Sequence, residues 1–306
     1  MDALGSQLLL GQVACLSAAS LWAAALMLFR RPIAAYGARR INMAKCVIAA
    51  LFQGVTVVAL GYAAAVWSAP LKSLVFIATS GLVGLVLGDT ALFGSAARIG
   101  VHRALLLQTL APVFAAIIAA VWQAELPNAP QVTGGVVILA GVALVVAPDR
   151  KRDRSPAPGS PAWSRVGIAL GVVAAFGQGA GLVLAKAGMQ EIPVLPASFL
   201  RLGAAAIGLV IVGAVSRRRR PTTPLPKRSQ TVLRVLLATF FGTYLALFLM
   251  MAGVAHAPAS IAAVLLSTSP VFSLILEAVV DRRPPTLLGV LGTLMAVAGV
   301  GILSLW

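Results

Sequence analysis

Long apolar stretches separated by short polar connectors dominate this sequence. A bilayer-spanning helix needs about 20 predominantly apolar residues. Ten such stretches fit along the chain, at 8–29, 42–64, 71–96, 102–122, 131–148, 165–186, 195–215, 232–255, 258–280 and 285–305. Breaker residues punctuate the connectors: Pro32, Pro70, Pro127 with Pro130, and Pro284 with Pro285. Two connectors are longer and basic. One runs from Asp149 to Ser164, the other from Ser216 to Gln230 with its Arg217 to Arg220 run. The first divides the chain into 1–148 and 165–306, joined by a basic linker at 149–164.

The two halves repeat each other. A shift of 156 residues lays Arg30 on Lys186, Asn42 on Ser198, Lys45 on Arg201 and Trp22 on Gln178. A shift of 158 lays Pro112-Val113-Phe114 on Pro270-Val271-Phe272, Pro127 on Pro285, Gly134 on Gly292 and Gly141 on Gly299. Five spans per half is an odd number, so the second copy is expected upside down. The expected fold is therefore an all-α polytopic membrane protein of ten transmembrane helices in two inverted five-helix repeats. Inverted repeats are a hallmark of secondary transporters, whose site lies near the midplane between the halves.

Composition narrows the class further. Apolar residues make up 60% of the 306 and charged ones 10%, against about 25% charged in a soluble domain; no large soluble domain fits beside ten spans. The net charge of +16 would suggest nucleic acid in a soluble chain. Here the bases cluster between apolar runs and read as orientation signals facing cytoplasm and anionic lipid. The run from Leu8 to Phe29 is too long for a signal-peptide core and has no basic residue before it, so it reads as a retained span. Cys15 and Cys46 fall inside apolar segments and read as packing residues.

Several segments resemble the drug/metabolite transporter superfamily, and within it the ten-helix EamA-type proteins with two tandem repeats. The run from Gln108 to Val146 is similar to the fourth and fifth helices of one repeat, and 265–303 to the same part of the second. LGDTALFGSAARIGVHRALL (87–106) resembles the third-to-fourth helix junction. GQGAGLVLAKAG (177–188) and SFLR (198–201) resemble the sixth and seventh helices. The Gly-Glu-Arg sequence usual at the close of the fourth and ninth helices survives only in part, as Glu125 without its Arg and as Asp281 with Arg282 and Arg283. The resemblance implies a membrane transporter with no cofactor. In this family the fifth and tenth helices look peripheral, and their glycines suit close packing.

Candidate site residues are the polar groups inside the spans. Asp89 is the one acid well inside an apolar run, where a charge costs about 2.5–3.5 kcal/mol on insertion scales. It either binds substrate or a proton, or it ties two helices together. Glu277 sits about one turn from Asp281 and could snorkel to the interface beside Arg282 and Arg283; it is the second coupling candidate. Pro112 and Pro270 should kink their helices, either placing part of a substrate path beside Thr109, Ser267, Thr268 and Ser269 or serving the structure alone. Trp22 with its repeat partner Gln178, and Gln108 with Tyr244, supply the few polar edges an apolar pocket needs. Arg30, Lys45, Lys186 and Arg201 read as interfacial anchors at helix ends, against a gate or an anion contact. His102 and His256 have no second ligand at metal spacing, so no metal site is expected. One cavity is expected, lined by the first, third and fourth helices and their counterparts, the sixth, eighth and ninth.

No nucleophile elbow, phosphate loop or zinc-protease spacing occurs, so an enzyme is not expected. The expected function is a secondary transporter that moves a small metabolite or drug-like molecule by alternating access, with proton-coupled efflux as one form. The alternative is a passive channel or a non-transporting scaffold. Expected partners are a small-molecule substrate and the lipid bilayer, with no nucleic acid, in a monomer or homodimer. The low aromatic content hints at a neutral, zwitterionic or apolar ligand. Odd-numbered connectors hold 21 Lys and Arg against 3 in the even-numbered ones. The positive-inside rule then places the odd connectors in the cytoplasm and both termini outside a bacterial inner membrane.

Overall fold

The computed structural model describes residues 3–123, 129–146, 164–216, 229–256, 265–280 and 285–303. Outside them lie the Glu125 and Pro127 region, most of the 149–164 linker, the Arg217–Arg220 run, and Asp281 with Arg282, Arg283 and Pro284. Every regular element among the described residues is a helix. In order they are α1 (Ala3–Tyr36), α2 (Ala38–Ala59), α3 (Ala63–Trp67), α4 (Leu71–Ser80), α5 (Asp89–Ile99), α6 (Val101–Gln108), α7 (Ala111–Gln123) and α8 (Ala129–Val146). The second half holds α9 (Arg165–Gly188), α10 (Val194–Ser216), α11 (Ser229–Thr239), α12 (Ala246–His256), α13 (Ser269–Val280) and α14 (Leu287–Leu303).

Seven helical stretches are long and apolar enough to cross a membrane: Leu9–Tyr36, Ala38–Ala59, Leu71–Ile99, Val101–Val121, Arg165–Gly188, Val194–Val215 and Gln230–Gly253. Three shorter apolar helices accompany them, Val132–Leu144, Ser269–Val280 and Leu287–Ile302. Burial is inverted relative to a soluble helix. On α2, Leu51, Val55 and Val58 are exposed while Asn42, Lys45 and Gln53 are buried. Such a surface is stable where lipid replaces water. The protein is a multi-pass membrane protein.

Pro32 does not end the first helix as the sequence suggests; it lies inside α1. The chain instead breaks at Gly37, whose φ of 83° suits glycine alone among common residues. Gly100, with φ of 91°, separates α5 from α6 in the same way. The expected kinks at Pro112 and Pro270 are present as tightened turns. Thr109 and Leu110 donate their amides to carbonyls three residues back, at 3.0 and 3.1 Å, before α7 resumes. Thr268 does the same to Leu265, at 3.2 Å, just before α13.

Two spans contain a wider coil that hydrophobic periodicity does not reveal. Gly81–Gly88 joins α4 to α5, and Phe240–Leu245 joins α11 to α12, both as π-helix. The Asp89 amide bonds the Gly84 carbonyl, and the Ala246 amide bonds the Phe241 carbonyl, each five residues back. With the 158-residue shift the two segments overlap, so the irregularity is itself repeated. Such segments often mark functional sites, and an extra residue per turn re-aims every side chain downstream.

Packing runs mainly between the halves. α9 lies against α4, α5, α7 and the first π segment; α10 lies against α2; α1 lies against α11, α12 and α13; and α8 lies against α14. Glycines make these approaches possible. A side-chain carbon on Gly141 would sit 2.7 Å from the Gly292 carbonyl, and one on Gly299 would sit 2.9 Å from the Gly134 carbonyl. The four matched glycines of the fifth and tenth apolar runs thus face one another, as small residues do at lipid-embedded helix contacts. The first π segment meets α9 in the same manner. A side-chain carbon on Gly181 would sit 2.9 Å from Gly84 Cα, and one on Gly177 would sit 2.9 Å from Gly88 Cα.

Candidate functional site

Lys45 on α2 and Asp89 at the start of α5 form a buried ion pair through Nζ and Oδ2. The other carboxylate oxygen, Oδ1, accepts from Gln178 Nε2 on α9 at 2.8 Å. Asp89 therefore joins its own half to the other one. Asn42, one turn before Lys45, donates its amide to Leu85 O and Thr90 Oγ1, both at 2.8 Å, and fixes α2 against the exit of the π segment. Lys45 Nζ also lies 4.9 Å from the centre of the Phe93 ring, a cation–π contact worth up to about 2 kcal/mol when desolvated.

A small cavity opens beside the pair. Its walls are Trp22, Ala25, Leu26 and Phe29 of α1, Lys45 of α2, Leu85, Asp89 and Phe93 of the third span, and Gly242, Thr243 and Leu247 of the eighth. Its volume of about 20 Å³ has room for about one water, too little for a substrate. Leu85 and Thr243, and likewise Asp89 and Leu247, are repeat-matched by the 158-residue shift, so both halves furnish corresponding wall positions.

The structure thus brings together Asp89, Trp22 and Gln178 of the residues expected from sequence. The others lie elsewhere. Tyr244 turns away from the cavity, its hydroxyl 2.9 Å from Thr56 Oγ1 and its ring among Phe52 and Phe240. Thr109 Oγ1 donates to Leu106 O at 2.7 Å, and Ser269 Oγ to Leu266 O at 2.8 Å. These hydroxyls satisfy carbonyls of their own tightened turns rather than lining this cavity. Gln108 has a buried Nε2 with no partner, and Ser267 is buried beside the second kink. The fourth, sixth and ninth spans, expected as walls, contribute none of this cavity's lining, the sixth reaching it only through the bond of Gln178 to Asp89; the second span, not expected, contributes Lys45.

Three further expectations are corrected. Lys45 and Arg201 are not interfacial anchors: they are 4% and 0% exposed. Lys186 and Arg39, both exposed, sit as anchors should. Glu277 does not snorkel outward but accepts the His102 amide at 2.9 Å, capping the free N–H groups that begin α6. His102 is correspondingly buried, with Nδ1 3.3 Å from Pro270 O and from Ser273 Oγ, and pins the fourth span to the ninth. Cys15 and Cys46 are buried free thiols in the packing, as expected.

A buried acid shared between two halves, a small cavity beside it and a lipid-facing apolar surface are the features this membrane protein presents. The pattern of the EamA-like transporter family matches twice, over residues 9–147 and 165–305, and the chain belongs to that family. A solved crystal structure superimposes with a TM-score of 0.67 at 16% identity, over 97% of this chain and 96% of that one, which supports the fold. No curated protein matches the sequence. Members of the family are in general not enzymes.

Proposed function

We propose that the protein is a secondary transporter of a small molecule, working by alternating access with ten crossings in two oppositely oriented five-helix halves. The three shorter apolar helices beside the seven longer spans support the count of ten. The observation that carries the reading is Asp89, held at once by Lys45 of its own half and Gln178 of the other beside a small cavity. Rocking of one half against the other separates Gln178 from Asp89 and opens the space between α1, α2 and the two π-containing spans. Trp22, Phe29 and Phe93 then offer apolar walls, while Asp89 and Lys45 offer a polar floor. Proton coupling is the finer form of this reading, with Asp89 as the candidate carrier.

The test is substrate counterflow in proteoliposomes. A labelled substrate should accumulate transiently against an unlabelled internal pool, saturably, and only with protein present. Flux that is linear in concentration and shows no counterflow indicates a passive channel; no flux for any substrate that stabilises the protein indicates a scaffold.

A further inference from the structure

The two halves differ in how they satisfy matched polar residues. In the first half Asn42 and Lys45 are both partnered, to Leu85, Thr90 and Asp89. Their counterparts in the second half are Ser198 and Arg201. Both are 0% exposed, and Ser198 Oγ and Arg201 Nε have no hydrogen-bond partner among the described residues. Arg201 Nη1 points to the Met251 sulfur, at 3.9 Å, a weak acceptor. The position matching Asp89 is Leu247, so the second half retains the cation and has lost the acid.

Arg201 makes no ion pair among the described residues, the carboxylate of Asp89 acting on it only through space while paired to Lys45; a buried guanidinium without a direct partner is costly, and the surroundings are shaped to keep it. Arg201 Nη2 lies where a side-chain carbon on Gly84 would come within 2.8 Å, and one on Gly181 within 3.3 Å. Among the described residues the deeply buried formal charges are Lys45, Asp89 and Arg201, a net of +1. Ser198 and Arg201 lie three residues apart, on one face of α10. Both present donors, so an acceptor with two adjacent oxygens suits them, and a guanidinium fork matches a carboxylate in particular. Met251, unbranched and flexible, is the cover that can swing aside. Leu85, next to Gly84, belongs to the wall of the apolar cavity.

We infer that Ser198 and Arg201 form the anion subsite of this transporter, and that its substrate is a small apolar molecule carrying a carboxylate. The inference rests on the transport reading above and names the substrate class for it. The carboxylate takes the place of the acid absent from the second half, and its apolar body occupies the space toward Trp22 and Phe93.

The test uses the full-length protein in detergent, with thermal unfolding measured against 4-methylpentanoate and 3-phenylpropionate, their primary amides, and inorganic phosphate. Both acids should raise the unfolding temperature with concentration, and the amides should not. Arg201→Gln should weaken the response by about tenfold or more, with Arg201→Lys intermediate. Equal effects of acids and amides, no effect of either acid, or an unchanged response in Arg201→Gln overturns the inference, as does stabilisation by phosphate alone. If Arg201→Gln fails to fold, the acid–amide comparison on the unmodified protein and Arg201→Lys decides. Counterflow of labelled 4-methylpentanoate separates the two readings. Acid-specific stabilisation without counterflow defeats transport and leaves the subsite, whereas equal counterflow of acid and amide defeats the subsite and leaves transport.

Discussion

Lys45 and Arg201 each lie seven residues beyond the first residue of their helices, Ala38 and Val194, and both are buried, but Lys45 faces a carboxylate and Arg201 a thioether. Matched positions in a repeated sequence have thus taken different partners. The asymmetry makes the ion pair of the first half open to direct measurement.

Removing one member of a buried pair leaves the other charge uncompensated, at about 3–5 kcal/mol, while removing both is far less costly. Lys45→Met and Asp89→Asn should therefore each lower thermal stability strongly, and the Lys45→Met/Asp89→Asn double variant should recover most of the loss. A double-mutant cycle on unfolding midpoints checks this. Losses that simply add would show that the two side chains are not coupled.

Proton coupling through Asp89 calls for the same double variant, because it restores charge balance while removing the titratable group. In proteoliposomes it should still exchange substrate and should no longer accumulate it under a pH gradient. Glu277→Gln should leave gradient-driven accumulation intact, since Glu277 is engaged with the His102 amide. Accumulation that survives in the double variant and vanishes in Glu277→Gln would transfer the role to Glu277.

The contact of α8 with α14 depends on the absence of side chains. Gly141→Val places carbon where the Ala296 amide and the Gly292 carbonyl already lie within 2.7 Å, and should be clearly destabilising in thermal unfolding. Gly301→Ala has open space around the new methyl and should be neutral or stabilising by up to about 1 kcal/mol, the helix propensity difference. The reverse order would mean that these helices do not pack through their glycines.

Burial of Lys45 and Arg201 also revises the charge count behind the orientation. Taken out of the connectors, they lower each class by one, from 21 to 20 and from 3 to 2, and the contrast stands. Both termini should lie outside the cytoplasm. Alkaline phosphatase fused to the C-terminus should be active and a fluorescent protein there dark; the opposite pattern reverses the topology.

Apolar run length and the internal repeat are enough to read the helical fold and to single out Asp89, Trp22 and Gln178. Lys45 reads as an anchor because the apolar run begins at 42, whereas α2 starts at Ala38 and lets Arg39 take the interface, leaving Lys45 deeper in the bundle. The π segments leave no mark in the pattern because one extra residue per turn does not alter which residues are apolar. Asp89 directly follows the first π segment and pairs with Lys45. Thr109 and Ser269 look like pocket residues because a hydroxyl near a proline reads alike whether it serves a ligand or its own turn.

The location of both ion-pair partners in the first half bears on how the chain is made. Lys45 and Asp89 emerge from the ribosome within one helical hairpin, whereas Gln178 and Arg201 come only after the linker. A lone acid or base entering the bilayer costs about 2.5–3.5 kcal/mol, but α2 and the third span can enter with their charges already neutralised against each other. Arg201 has no such companion on α10. Its place in the bundle is the glycine-lined groove that Gly84 of the third span and Gly181 of α9 provide, so the seventh span brings its charge to a site that the earlier helices build.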